Sequence, residues 1–112
     1  MEFEINGDGA PEVSPESVHD QVENIKLIDV RRPDEFTGEL GHIEGSVLVT
    51  LGADLESYLE SLNKSDTYVF VCRSGARSST STLMAQSLGF SKVFNMKGGM
   101  LRWNALGFPI EK

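Results

Sequence analysis

A chain of 112 residues and 12.3 kDa, with 39% hydrophobic residues and a mean hydropathy of -0.19, is enough for one domain with one core and excludes two independent ones. No stretch approaches the run of about 18 apolar residues that a membrane span needs, and the net charge of -7 argues against general nucleic-acid binding, which calls for a basic face. One cysteine, Cys72, cannot form an internal disulfide, and Met1-Glu2-Phe3-Glu4 has acids where a secretory signal has bases, so a reduced, cytoplasmic, single-domain protein spanning residues 1–112 is expected, with no membrane partner.

The opening to Val13 is rich in glycine and acids and predicts only a short edge strand over Phe3 to Ile5. Ser14-Pro15-Glu16 reads as an N-cap, a first-turn proline and an acid favoured by the helix dipole, opening a helix to about Val22. Lys26 to Val30 is a strand that stops at Arg31-Arg32-Pro33, and Pro33 to Phe36 starts a brief helix closed by Gly38 and Gly41. Ser46 to Val49 is a third apolar segment with strand character. Ala53 to Leu62 places Leu55, Tyr58, Leu59 and Leu62 on one helical face.

Residues 67–72 then form an apolar strand that delivers Cys72 into the turn Arg73-Ser74-Gly75-Ala76-Arg77, with a helix over Ser78 to Leu88. Lys92 to Asn95 is a last strand, and Gly98-Gly99 leads into a helix over Met100 to Leu106, stopped by Gly107. The alternation predicts an α/β fold of three layers, a mostly parallel sheet of about five strands with helices on both faces. Its ligand site should lie beyond the carboxyl ends of the strands, where Asp29 to Arg32 and Cys72 to Arg77 both fall.

A cysteine at a strand end is more often an inert small hydrophobe than a nucleophile. This one is followed by two arginines and a glycine in a turn opening onto a helix. That loop offers amide donors, guanidinium charge and close backbone approach, which suit a sulfur nucleophile or an anionic substrate. Charge follows the same boundary: residues 1–66 hold sixteen acids against four bases, whereas residues 67–110 hold five bases and no acid. A local positive field around the cysteine loop is therefore expected, able to draw in a small anion.

Four groups of residues stand in the order of one family's signatures: Asp29-Val30-Arg31 with Glu35-Phe36; Gly41-His42-Ile43-Glu44-Gly45-Ser46; Cys72 to Ser78; and Gly98-Gly99 with Trp103 and Gly107-Phe108-Pro109-Ile110. From Ser14 to Ile110 the chain resembles a single-domain rhodanese, a member of the thiosulfate sulfurtransferase family. It departs at Leu48 and Thr50, where members often carry Asn and Pro, a difference expected to alter the rim of the site. The resemblance implies a rhodanese-like fold and an enzyme in which the Cys72 thiolate takes the outer sulfur of thiosulfate or a related donor. The resulting persulfide then passes its sulfur to cyanide or a thiol.

The implied site has Cys72 as catalytic residue, Arg73, Ser74, Gly75, Ala76 and Arg77 around the substrate, and Asp29, Arg31, Glu35 and Ser78 supporting the loop, with no cofactor and no metal. Arg73 is expected to touch substrate. Arg77 has two open roles, substrate contact or a pair with Glu35 or Asp29 that shapes the loop. His42 reads as a hydrogen-bonded structural histidine, His19 as a helix-surface residue without a role, and Met100 and Trp103 as core. The partners implied are a small anionic sulfur donor and an external thiol or cyanide acceptor, served by a monomer. One rival is a phosphatase or arsenate reductase, whose loops place five residues between Cys and Arg where this chain has four. Another is a non-enzymatic sulfur carrier or sulfide-responsive module, permitted because no second cysteine is present to receive the sulfur.

Overall fold

A computed structural model describes all residues, Met1–Lys112. Six strands form one sheet: β1 (Glu4–Ile5), β2 (Pro11–Val13), β3 (Lys26–Asp29), β4 (Val47–Leu48), β5 (Tyr68–Val71) and β6 (Val93–Met96), in the order β1-β2-β6-β5-β3-β4. Only the β1–β2 hairpin is antiparallel; β2–β6, β6–β5, β5–β3 and β3–β4 all run parallel. Five α-helices connect them: α1 (Pro15–Gln21), α2 (Pro33–Phe36), α3 (Ala53–Glu60), α4 (Ala76–Ser87) and α5 (Gly99–Ala105). As expected, Ser14 caps α1, its hydroxyl accepting from the Ser17 amide at 3.1 Å. No helix is long and apolar enough to cross a membrane.

The strand-by-strand alternation of side chains sorts the core into two layers. Tyr68, Phe70 and Cys72 point to one face with Ile28, Leu55, Leu59 and Ala85, beneath α3 and α4. Val69 and Val71 point to the other with Val13, Val18, Met96, Met100 and Trp103, beneath α1 and α5. Both faces of β5 are thus covered, which is why its sequence is continuously apolar. The strand count is six where about five were expected. The additional one, Pro11–Val13, holds a proline and a glutamate over three residues and gains its strand state from pairing with β6, not from propensity. Helix α4 also starts at Ala76, two residues earlier than Ser78, because Gly75 takes the left-handed conformation (φ 107°) that turns the chain directly into the helix.

Candidate active site

Cys72 is the first residue after β5, and the chain turns through Arg73, Ser74 and Gly75 into α4. Its thiol is buried on the α4 side, with 1% of the residue exposed. Two groups meet the sulfur: the Gly75 backbone N–H donates to Sγ at 3.1 Å, and the Ser78 hydroxyl lies 3.2 Å away. Gly75 is the single loop amide engaged this way. The N–H groups of Arg73, Ser74, Ala76, Arg77 and Ser78 make no hydrogen bond within the molecule. Those of Ala76, Arg77 and Ser78 are the unpaired donors of a helix N-terminus, so an anion seated over the loop meets amide dipoles directed at it.

The loop is held from three sides. From below, the amides of Met100 and Leu101 donate to the carbonyls of Cys72 (2.9 Å) and Arg73 (3.0 Å). This approach depends on Gly99, whose φ is +56° and where a Cβ would fall 2.4 Å from the Cys72 oxygen and 2.5 Å from the Arg73 oxygen. From the flank, Arg77 forms a two-pronged pair with Glu35, Nη1 to Oε1 at 2.6 Å and Nη2 to Oε2 at 2.8 Å. The Arg77 guanidinium holds the Glu35 carboxyl down at about 2, and Glu35 in turn raises Arg77. Of the two acids open to Arg77 as a partner, Glu35 is the one it pairs with, through two of its five N–H donors. Behind α2, Arg31 and Asp29 form a fully buried pair (2.7 Å), and Arg31 also donates to the carbonyls of Gly41 and Glu35. Asp29 thereby serves Arg31, not Arg77. Thr50, at a position that departs from the family pattern, donates its hydroxyl to the Arg31 carbonyl at 2.8 Å.

Arg73 is exposed and has no carboxylate within salt-bridge distance. Together with Leu101, Leu40, Glu39, Asp34 and Glu35 it lines a cleft of about 380 Å³ beside the loop. A larger concavity, about 510 Å³, lies elsewhere, against β1, β2 and Lys97. The positive field expected from the charge count is accordingly weaker in space than along the chain. Arg77 is neutralised by Glu35, three carboxylates share the cleft with Arg73, and Lys92 precedes β6 at the opposite end of the sheet. No group of three or more His, Cys, Asp or Glu could hold a metal ion.

His42 stacks on Phe36 with ring centroids 3.7 Å apart and donates Nδ1–H to the Phe36 carbonyl, a structural arrangement. His19 stacks on Phe108. Met100 and Trp103 are core, the indole N–H donating to the Pro109 carbonyl at 2.9 Å. Two participants escaped the sequence reading. Gly99, quoted only as part of a signature, sets the height of the loop. Asn95 stands behind Ser78 and accepts its hydroxyl. A buried asparagine in Val93-Phe94-Asn95-Met96 was the available signal, since a polar residue in an otherwise apolar strand needs a partner.

A rhodanese-like domain model matches residues 14–106, most of the chain. YtwF of Bacillus subtilis is 36% identical over 95 residues, covering 82% of this chain and 88% of its own. Thiosulfate sulfurtransferase 18 of Arabidopsis thaliana is 35% identical over 99 residues, covering 77% of this chain and 71% of its own. Among solved structures, the human single-domain sulfurtransferase TSTD1 superposes with a TM-score of 0.77 at 27% identity, covering 87% of this chain and 97% of that one. The mostly parallel sheet, the cysteine loop at its carboxyl end and these matches make the chain a member of the rhodanese-like family.

Proposed function

We propose that the chain is a thiosulfate sulfurtransferase of the rhodanese type, moving a sulfane sulfur through a Cys72 persulfide. The observation that supports it best is the set of uncommitted amides at Arg73, Ser74, Ala76, Arg77 and Ser78 in the loop that directly follows a single buried sulfur. In the first step the Cys72 thiolate attacks the outer sulfur of thiosulfate. The Cys72–S bond forms as the sulfur–sulfur bond of thiosulfate breaks, and sulfite leaves with the electron pair. In the second step cyanide or a thiolate attacks the outer sulfur of the persulfide, and Cys72 departs as thiolate.

Each step brings two negative species together. The loop amides, the N-terminus of α4 and Arg73 offset that repulsion and stabilise the leaving anion. Sulfur is favoured over phosphate because four residues, not five, separate Cys72 from Arg77, which makes the ring of loop amides tighter and better suited to a single sulfur atom than to a tetrahedral oxyanion. The test is thiocyanate formation from thiosulfate and cyanide by wild type beside Cys72→Ser, with mass spectrometry of the thiosulfate-treated protein. Turnover with one added sulfur on wild type, and neither on the variant, is expected. Aryl-phosphate hydrolysis without thiocyanate would replace this reading by a phosphatase, and loading without turnover to small thiols by a sulfur carrier.

A further inference from the structure

Behind the sulfur a chain of hydrogen bonds runs from Cys72 through Ser78 and Asn95 to Glu12 on β2, and its polarity can be worked out from the far end. The Asn6 carboxamide is fixed, because its Oδ1 accepts from the backbone amides of Asp8 (2.9 Å) and Ala10 (3.0 Å). Its Nδ2 therefore donates, to Ser79 Oγ at 2.9 Å and to Glu12 Oε2 at 3.3 Å. The same Glu12 oxygen lies 3.0 Å from Asn95 Nδ2. A carboxylate only accepts, so Asn95 must turn its NH2 group to Glu12 and its oxygen to Ser78. Ser78 has one hydroxyl proton, which goes to Asn95 Oδ1, and the hydroxyl then presents a lone pair to Cys72 Sγ.

We infer that Glu12, acting through Asn95 and Ser78, sets the polarity of the hydrogen bond at the Cys72 sulfur and is a positioning residue for its chemistry. As wired, Ser78 accepts S–H from the thiol. When the thiol ionises, its proton goes to solvent and the sulfur needs a donor. Ser78 can supply one only by turning its O–H away from Asn95, which orphans a buried acceptor. The carboxamide would have to turn over to avoid this, and Glu12, held by Asn6, prevents it. Other charged groups near the sulfur are Arg73, which follows Cys72 in the loop, Arg77, its partner Glu35, and Asp29; those near Glu12 are Glu2, Glu4, Asp8 and Lys97. All remain in place in the variants below.

The inference rests on Cys72 being the reacting thiol of the proposed transfer, but alkylation by iodoacetamide needs no sulfur donor and tests the relay separately. Thiocyanate assays can fail while the relay stands, and the reverse. Glu12→Ala releases Asn95, so the alkylation rate at neutral pH should rise about tenfold, with the pH profile moved roughly one unit lower. Glu12→Gln removes the charge but keeps an oxygen facing both carboxamides, and should change the rate by less than about threefold. In a Ser78→Ala background, Glu12→Ala should add nothing. Equal effects of Glu12→Ala and Glu12→Gln, or an undiminished effect without the Ser78 hydroxyl, would show a through-space charge effect and overturn the relay. Should Glu12→Ala not fold, the wild-type protein decides by NMR. The Asn95 side-chain amide signals must move with the alkylation profile of Cys72, and signals that stay fixed through it overturn the relay equally.

Discussion

The two sides of the Cys72 loop are built on opposite rules. On the inner side every polar group is committed: the carbonyls of Cys72 and Arg73 to α5, Arg77 to Glu35, Ser78 to Asn95, and Asn95 to Glu12. On the outer side five amides and the Arg73 guanidinium have no partner in the molecule. The difference teaches how so small a domain presents an anion site. Donors can remain unpaired towards solvent only because the closed side prevents the backbone from rearranging to pair them. Substitutions that open the closed side should therefore be costlier than those on the open side.

The largest effect is expected from Gly99→Ala. A Cβ there would meet two loop carbonyls, at 2.4 and 2.5 Å, from a backbone with φ +56°, so α5 must withdraw and release the amides of Met100 and Leu101. A 1 Å displacement at a catalytic group costs on the order of a hundredfold in rate, and kcat/KM for thiocyanate formation should fall at least that far. Gly107→Ala is the control, because φ is again positive (+74°) but nothing lies within 4 Å of the new Cβ and the position is remote from the loop. Equal rate losses in the two variants would mean that close approach at Gly99 is not what holds the loop.

Next comes the buried pair. Asp29→Asn leaves Arg31 charged with no carboxylate, both side chains being almost wholly inaccessible (1% and 0% exposed). Breaking one partner of such a pair costs about 3–5 kcal/mol, and the loss should appear as a lower midpoint in urea unfolding. A loss below about 1 kcal/mol would mean that the Gly41 and Glu35 carbonyls alone satisfy Arg31.

Glu35→Gln should cost less and carries a pH signature. The carboxyl sits at about 2 in the folded protein against 4.5 when unperturbed, chiefly because of its bond with Arg77. Its folded value is depressed, so the stabilisation is complete above pH 4.5 and is lost as pH falls through about 2. With Arg77 34% exposed, screening discounts the full linkage value to about 2 kcal/mol. Wild type should lose this increment between pH 5 and 2 in acid titrations, and Glu35→Gln should lack it. A variant as acid-sensitive as wild type would assign that dependence to other carboxylates.

How much of this was legible in the sequence divides along the same line. Periodicity and turn residues located every element joined by local rules, such as the Ser14-Pro15 start of α1 and the Leu55 and Leu59 face of α3. Position of the cysteine at a strand end and the glycine turn after it placed the open side of the loop. The closed side depends on contacts distant in sequence. Arg77 meets Glu35 across 42 residues and Asn95 meets Glu12 across 83, and no spacing rule reports which of several acids is chosen. Strand β2 failed for the same reason, since its state comes from β6 and not from Pro11 or Glu12. Charge counting misled because sequence blocks are not spatial blocks: the acids of α2 and of the segment after it return to the cleft that Arg73 enters.

The smallest effect is expected on the open side, from Arg73. Its side chain is exposed and free of internal partners, so Arg73→Ala should leave folding stability unchanged within about 0.5 kcal/mol. A charge-assisted contact to a dianionic donor, partly screened by water, is worth about 1.4 kcal/mol, or tenfold in kcat/KM for thiosulfate. The loss should shrink as ionic strength rises, because the wild type surrenders its electrostatic advantage to screening. Alkylation by uncharged iodoacetamide should not change, since no charge is being attracted. If alkylation and thiosulfate turnover fell together, Arg73 would be shaping the loop itself and would belong with Arg77 on the closed side.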